Sequence, residues 1–417
     1  MSATLQDIFN ESFDAYASKH RLPLKHHQAA HAIMTCRTPE QGGHVQQCPD
    51  GHEAHIQYHS CRHRSCPKCN ALPKAQWAQK QYQRLLAIEH YHVIFTVPHE
   101  LLPLWRYNQC WFTDMLFRAV SDTLMTLSQD AKHLGAVPGM ILSLHTWGRN
   151  LSVHPHIHCL ITGGGLGADG QWRSTKQHYL FPSRVIRALY RGKLLAMLRQ
   201  GLRAGELQLP PDSAEPAQQQ TLKALARKKW NVCIQPPYQH GRGVMGYLAR
   251  YVKGGPISDR RITEANQQRV CFRYQDHRDG KHKLQQLPTL HFIERMLAHV
   301  AEPRQHVIRH YGLYSHKARD KRQRCRAQLG QACEERPTEM GWENFLQQSA
   351  AANKGECRQC GKRLVRGVAI DKNSKFKVRG GGYVQPDVGA NIETWPLDSR
   401  KPPDRPLYFF GASMSLN

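Results

Sequence analysis

The chain has 417 residues, which is long enough for two or three domains and at least one sizeable hydrophobic core. Lys and Arg number 58 against 32 Asp and Glu, so the formal net charge is +26. This excess argues against an enzyme for small neutral substrates and favours a nucleic acid partner, because each phosphate neutralised by Lys or Arg releases condensed counterions. A very soluble basic protein or a binder of acidic membrane is the alternative, but no basic amphipathic helix stands out.

The N-terminal residues lack a basic start followed by an apolar core, so no secretory signal is predicted. No apolar run approaches the roughly 20 residues that a membrane-spanning helix needs. We therefore expect a cytoplasmic protein without membrane contact. Its 13 Cys should remain thiols or metal thiolates in that reducing compartment.

Hydrophobic periodicity predicts alternating helices and strands after a Cys- and His-rich stretch from His26 to Cys69. The predicted helices are 70–88, 108–131, 183–204, 243–253 and 290–299. The predicted strands are 91–98, 140–146, 154–162, 230–235 and 269–274. Because the strands are half-polar and one hairpin is tight, we expect an α+β fold with helices on an antiparallel sheet, not a buried parallel sheet.

Three histidines alternate along the predicted strand 154–162. Side chains of a strand alternate between faces, so His154, His156 and His158 should project from one face and apolar side chains from the other. Neighbouring imidazoles on a rigid strand suit a divalent cation that keeps positions open for a substrate oxygen. A solvated polar face is the alternative, but the apolar opposite face favours a metal site.

Two tyrosines lie one turn apart in the predicted helix 243–253. Tyr247 and Tyr251 are at positions i and i+4, so both phenols should share one face. Arg250 and Lys253 are nearby and could hold phosphates. A phenol with a pKa of about 10 becomes a useful nucleophile when a metal takes up charge on the attacked phosphate, and attack would give a 5′-phosphotyrosine. Such tyrosine pairs are more often packing residues, so the motif gains weight only beside the histidines.

These motifs, in this order, resemble a known family. The segments that carry the resemblance are 36–38, 42–44, 60–69, 145–148, 154–159, 247–251, 276–280 and 309–312. They resemble the insertion-sequence-91-type transposases, which are two-tyrosine, rolling-circle members of the HUH endonucleases. The name HUH describes a His-hydrophobic-His strand, here His156-Ile157-His158.

The resemblance implies an HUH endonuclease fold with a ferredoxin-like core. It implies nicking of single-stranded DNA at one end of a mobile element and transfer to target DNA, with both tyrosines as alternating nucleophiles. His156 and His158 would bind Mg²⁺ or Mn²⁺. The third metal ligand varies in this family, and His145 and His154 are both candidates.

Cysteine spacing in the N-terminal region predicts structural zinc. The segment 61–69 contains Cys-x2-Cys, a tight turn whose two sulfurs share one ion. Many members of the resembled family carry a second such pair upstream, where this chain has a Cys and a His. The preferred ligand set is Cys48, His52, Cys66 and Cys69. A second ion could use Cys36 and Cys61 with His31 or His44.

Four regions are expected along the chain. Residues 1–88 form a zinc-binding module that docks DNA, and 89–315 form the catalytic domain, with an insertion at about 165–228. Residues 316–371 are a basic region with a lone pair, Cys357 and Cys360, for which Cys325 and Cys333 are poorly spaced partners. Residues 372–417 are rich in Gly and Pro and are predicted to be a flexible tail.

Two rival functions fit parts of this pattern. A rolling-circle replication initiator or a conjugative relaxase would use the same chemistry, although the zinc module favours a transposase. A zinc-dependent DNA-binding protein with an inert histidine strand is the rival from another class.

Overall fold

The structure is a computed structural model. It describes residues 3–211, 213–239, 245, 255–276, 279–334, 340–341, 344–345, 355–373, 376–378 and 384–386. The chain forms two compact units, which are Met1–Thr38 with Ser60–Gly355, and Pro39–His59 with the residues from Glu356 onward. The predicted helix 243–253, apart from Met245, lies outside the described residues. The same holds for most of the predicted tail 372–417.

The larger unit is built on an antiparallel sheet with the strand order β11-β4-β5-β3-β7. Its strands are β3 (His90–Thr96), β4 (Ala136–Trp147), β5 (Val153–Gly167), β7 (Val232–Ile234) and β11 (Ile308–Gly312), and β6 (Trp172–Ser174) pairs with β5. Each pairing is antiparallel. The predicted α+β class with an antiparallel sheet is confirmed.

The described part of the larger unit also contains helices. Those of the larger unit are α1 (Leu5–Ala17), α2 (Leu24–Thr35), α3 (Ala71–Arg84), α4 (Leu102–Tyr107), α5 (Gln109–Gln129), α6 (Ser183–Arg203), α7 (Glu215–Arg227), α8 (Thr289–Leu297) and α9 (Arg319–Gln328). The predicted helices 70–88, 108–131, 183–204 and 290–299 correspond to α3, α5, α6 and α8 and differ from them mainly at their ends. Helices α1 and α2 were not predicted, and α2 lies partly within the Cys- and His-rich stretch.

One face of the sheet forms the main hydrophobic core. Alternate residues of the central strands, such as Val93, Leu142 and Ile157, pack against apolar side chains of α5 and α6, such as Leu116 and Leu194. All of these side chains are fully buried. A shift of one residue in a strand's pairing would turn the apolar side chains of that strand toward the opposite face. Their burial therefore fixes the register of the strands. It also fixes which face carries the histidines.

A second antiparallel sheet in the larger unit has the order β10-β9-β8. Its strands are β8 (Ile262–Ala265), β9 (Arg269–Gln275) and β10 (His282–Pro288). Phe272 of β9 and Phe292 of α8 are buried in a cluster that also contains Phe9 of α1 and Ile33 of α2. The amphipathic N-terminal helices therefore complete a separate apolar core of this unit.

The smaller unit contains a three-stranded antiparallel sheet in the order β12-β1-β2. Its strands are β1 (Gly43–Gln47), β2 (Ala54–Tyr58) and β12 (Val365–Ile370), followed by a hairpin of β13 (Phe376–Val378) and β14 (Val384–Pro386). A hairpin from the first sixty residues thus pairs with a strand that follows about three hundred residues later. The compact units divide the chain differently from the four predicted regions, because each unit combines separate stretches of sequence. The predicted region boundaries remain predictions.

Among the residues that the structure describes, no helix combines the length and hydrophobicity needed to cross a bilayer.

Candidate active site and metal-binding clusters

Three histidines converge on the face of the central sheet opposite the main core. His145 of β4 lies directly across from His156 of β5, and Ser143 lies across from His158. Because alternate residues of a strand share a face, the three imidazoles project to the same side. One ring nitrogen from each histidine lies within 4.8 Å of the others. This spacing lets a single cation reach all three rings.

Hydrogen bonds orient two of these rings. Nδ1 of His156 lies 2.6 Å from the carbonyl oxygen of His154. Nδ1 of His158 lies 2.7 Å from Nε2 of His92 on the neighbouring strand β3. An imidazole whose Nδ1 is engaged in this way presents Nε2 to a metal. The sequence pattern does not reveal His92 as a site residue, since no motif surrounds it on its strand.

The histidines of this site are neutral at neutral pH. Burial lowers the pKa of His156 to about 4. Burial, together with the neighbouring imidazoles, lowers the pKa of both His145 and His158 well below the ordinary value. A neutral imidazole keeps the lone pair with which it binds a metal. The site can therefore bind a cation without first losing protons.

His154 differs from the other three histidines. It is half-buried near the start of β5, and its ring centroid lies 5.2 Å from that of His156. It does not belong to the group of ring nitrogens that could hold one ion, which consists of His145, His156 and His158. Of the two candidates for a third ligand, the structure thus brings only His145 to the pair.

The surroundings of the histidine face are apolar. Ile141 and Leu160 project from this face and are buried in a cluster with Leu86, Tyr314 and Met245. Met245 precedes Tyr247 by two positions in the sequence. The predicted site residues Tyr247, Tyr251, Arg250 and Lys253 lie outside the described residues.

Four cysteines of the larger unit form a compact cluster. The cluster consists of Cys36, Cys61, Cys66 and Cys69, whose sulfurs lie within 4.8 Å of one another. Sγ of Cys61 is 3.7 Å from Sγ of Cys69, too far for a disulfide but close to the edge of a zinc–thiolate tetrahedron, about 3.8 Å. Neighbouring thiols, chiefly Cys61, lower the pKa of the Cys36 thiol. A closed set of four sulfurs is typical of structural zinc.

Strained backbone supports this interpretation. Arg37 and Arg62 each follow a cluster cysteine and have φ values of 61° and 56°. Non-glycine residues rarely adopt this left-handed conformation, which persists where the surrounding structure enforces it. Shared ligation of Cys36 and Cys61 would enforce it at both positions.

The structure groups the predicted zinc ligands differently from the sequence-based sets. Cys48 and His52 cluster with Cys357 and Cys360, whereas Cys66 and Cys69 cluster with the other two N-terminal cysteines. Neither His31 nor His44 belongs to these groups; His31 is exposed on α2, and Nδ1 of His44 lies 3.5 Å from Nε2 of His59. Sequence spacing pairs ligands that are close in the chain, whereas the fold brings Cys48 together with cysteines from far along the chain.

Comparisons with known proteins agree with this arrangement. Residues 8–97 match the family described as "Transposase zinc-binding domain", and residues 139–322 match the family described as "Putative transposase". A protein of Sinorhizobium fredii, "Putative transposase y4qJ", is 36% identical over 332 residues, which cover 78% of this chain and 83% of that protein. The chain belongs to the insertion-sequence-91-type transposase family.

A second member of this transposase family is also similar. The "Transposase for insertion sequence element IS801" of Pseudomonas savastanoi pv. phaseolicola is 31% identical over 292 residues, covering 68% of this chain and 69% of that protein. Among solved structures, a conjugative relaxase TrwC in complex with oriT DNA, in its metal-bound form, is 18% identical. The match covers 39% of this chain and 71% of that one, with a TM-score of 0.22, too low to define the fold.

The zinc-binding family match includes the whole four-cysteine cluster, since its residues 8–97 span Cys36 to Cys69. The family match and the cluster geometry together identify Zn²⁺ as a cofactor of this transposase. Four protein sulfurs would complete the coordination of this ion and leave no position for a substrate, which is the arrangement of structural zinc.

Proposed function

We propose that this transposase nicks and rejoins single-stranded DNA by a rolling-circle mechanism that passes through a 5′-phosphotyrosine. His145, His156 and His158 would hold a divalent cation. Tyr247 and Tyr251 would be the nucleophiles. The observation that carries the proposal is the convergence of three neutral imidazoles on one face of the central sheet.

The donor set indicates which cation is suited. Three imidazole nitrogens favour a transition metal, so Mn²⁺ should bind more tightly than Mg²⁺, which prefers oxygen ligands. When bound, such an ion would withdraw charge from the scissile phosphate and align it for attack. The histidines' own task is to stay neutral and correctly rotated, and the hydrogen bonds of Nδ1 in His156 and His158 serve this purpose.

The tyrosine step is a transesterification. The phenolic oxygen of one tyrosine forms a bond to phosphorus and loses its proton, while the 3′ oxygen of the DNA leaves and takes up a proton as a 3′-hydroxyl. A 3′-hydroxyl can later attack the phosphotyrosine and restore the diester without ATP. Two tyrosines would allow one to open the donor strand and the other to open the target.

The position of Met245 supports the assignment of the two tyrosines as nucleophiles. Met245 is fully buried in the cluster with Leu160, which follows His158 on the same face of β5, and with Ile141, which lies across from Leu160 on β4. The two tyrosines follow it in the sequence by two and six positions. Arg250 and Lys253, between and just after them, would contact DNA phosphates.

DNA is the proposed partner, and the net charge of +26 supports it. We propose single-stranded DNA as the substrate because the family resemblance implies it. Because the protein is so basic, its affinity for DNA should fall steeply as the salt concentration rises.

A covalent-adduct assay tests the proposal. The full-length protein is incubated with Mn²⁺ or Mg²⁺ and single-stranded oligonucleotides that tile the DNA flanking its gene, and adducts are resolved by denaturing electrophoresis. Wild type should form an adduct, while His156→Ala and the double variant Tyr247→Phe/Tyr251→Phe should form none. Tyr238→Phe, at an exposed tyrosine outside the motif, is the matched control and should behave as wild type.

Three outcomes would count against the proposal. Nicking that survives the double tyrosine change would remove the covalent mechanism. DNA binding without any adduct would support a non-catalytic DNA-binding protein. Adduct formation without mobilisation of a marker flanked by the element ends would favour a replication initiator or relaxase.

A further inference from the structure

The four-residue cluster of the smaller unit is chemically a metal site, separate from the nicking chemistry. We propose that a second structural zinc ion is bound there by two pairs of ligands: Cys48 with His52, and Cys357 with Cys360. The site would tie the β1–β2 hairpin to a segment about three hundred residues later. It is independent of the proposed function, because none of its residues takes part in strand cleavage.

The interatomic distances fit tetrahedral coordination. Sγ of Cys48 lies 3.5 Å from Nδ1 of His52 and 3.5 Å from Sγ of Cys360. Sγ of Cys357 lies 3.9 Å from the same Nδ1. With zinc–sulfur bonds of about 2.3 Å and zinc–nitrogen bonds of about 2.0 Å, the edges of a tetrahedron are about 3.5–3.8 Å. The sulfurs of Cys48 and Cys360 are too far apart for a disulfide, in which the two sulfurs are about 2.05 Å apart.

The local backbone has the form of two zinc-binding turns. The first lies between β1 and β2, where the Cys48 N–H donates to the Glu53 carbonyl at 2.8 Å. In the second, the Cys357 N–H donates to the Lys362 carbonyl at 2.7 Å, and Gly361 has a φ of 70°, which favours glycine. Each turn therefore presents its two ligands on one side.

Contacts around the cluster join the same two turns. Nζ of Lys362 lies 2.8 Å from a carboxylate oxygen of Asp50. The backbone N–H of Arg358 donates to Glu53 at 2.7 Å. These polar pairs lie at the surface, where ion pairs contribute little stability. The sheet is small and only Gly43, Val45 and Ile370 of its strands are buried. A metal ion would therefore supply the cross-link that a hydrophobic core would otherwise supply.

Zinc content distinguishes this site from the four-cysteine cluster. Zinc is measured per chain in full-length wild type, in Cys357→Ser/Cys360→Ser and in Cys110→Ser/Cys333→Ser, whose two cysteines are exposed and outside the clusters. The first variant should lose one equivalent, and the control should lose none. Retention of the wild-type zinc content by Cys357→Ser/Cys360→Ser would overturn the proposal.

A rescue and a protection measurement separate ligation from a general loss of folding. His52→Ala should lose the same equivalent, whereas His52→Cys should retain it, because thiolate can replace imidazole as a zinc ligand. In wild type, Cys48, Cys357 and Cys360 should resist alkylation, read by mass spectrometry, until a chelator is added. Equal alkylation with and without the chelator, or a Cys48–Cys360 disulfide in the native protein, would overturn the assignment.

Discussion

Nε2 of His92 lies 2.7 Å from Nδ1 of His158, so a buried histidine on β3 hydrogen-bonds one of the proposed metal ligands on β5. Partners of this kind hold a ligand ring in one tautomer and one orientation, and their loss commonly lowers metal affinity about 10–100-fold. We expect His92→Leu to raise the Mn²⁺ concentration needed for half-maximal adduct formation by such a factor. Adduct yield at saturating Mn²⁺ should recover substantially, unlike that of His156→Ala.

The control for this measurement is His282→Ala, at an exposed histidine of β10. It should leave the Mn²⁺ dependence unchanged. If His92→Leu titrates with Mn²⁺ as wild type does, then His92 has no role in positioning His158.

Stability should depend on pH through His90. This residue is buried, its Nε2 lies 2.6 Å from the hydroxyl of Tyr314, and burial lowers its pKa to about 4. In the unfolded chain this imidazole binds a proton near pH 6.5, whereas in the folded protein it remains neutral down to about pH 4. Protonation therefore favours the unfolded chain, so the full free energy of unfolding is present above about pH 6.5 and part of it is lost as the pH falls toward 4. The upper limit of the effect is about 3 kcal/mol.

Urea unfolding at pH 7 and pH 4.5 measures this effect in wild type and His90→Gln. Other buried histidines add to the acid sensitivity of both proteins, so the quantity of interest is the difference between them. We expect His90→Gln to lose less unfolding free energy than wild type between the two pH values. An equal loss in both would contradict the assignment to His90.

Removal of the structural zinc should destabilise the larger unit. Cys66→Ser removes a fully buried ligand, and the strained backbone at Arg37 and Arg62 would lose the metal that enforces it. We expect the loss of one zinc per chain and a clearly lower melting temperature, measured by scanning calorimetry. Cys110→Ser, at an exposed cysteine, should change neither value. A normal melting temperature in a zinc-depleted Cys66→Ser protein would show that this ion is dispensable for folding.

Gly312 should tolerate no side chain. It has a φ of 56°, and a Cβ there would lie 1.9 Å from the carbonyl oxygen of Pro138 on the adjacent strand. Gly312→Ala should cost more than about 1 kcal/mol of unfolding free energy, because the strands must also separate. Gly170→Ala is a matched control with a φ of 76° and open space around it, so it carries only the backbone cost. Equal losses in both variants would disprove the steric argument.

Features set by local sequence could be predicted. The alternation of His154, His156 and His158 with apolar residues predicted a strand with one polar face, and the strand pairings are consistent with that alternation. The apolar spacing of 108–131 likewise predicted α5. In both segments, neighbouring residues already contain the periodicity that the fold uses.

Features set by register or by distant contacts could not be predicted. Only the pairing of β4 with β5 distinguishes His145 from His154, because it puts His145 directly across from His156. The sequence around His92 contains nothing that marks a contact with His158. Cys48 and His52 lie together with Cys357 and Cys360, which follow by about three hundred residues, and no local spacing reveals such a neighbourhood.

The pairing of β1 with β12 has a consequence for biosynthesis. Gln47 of β1 pairs with Val365 of β12, so the ribosome must add more than three hundred residues after the first strand before it makes the second. At about 5–20 residues per second this takes about 15–60 seconds. Throughout that interval one edge of the nascent hairpin lacks its native neighbour and is open to aggregation. Slow translation or premature termination should therefore harm the formation of this small sheet.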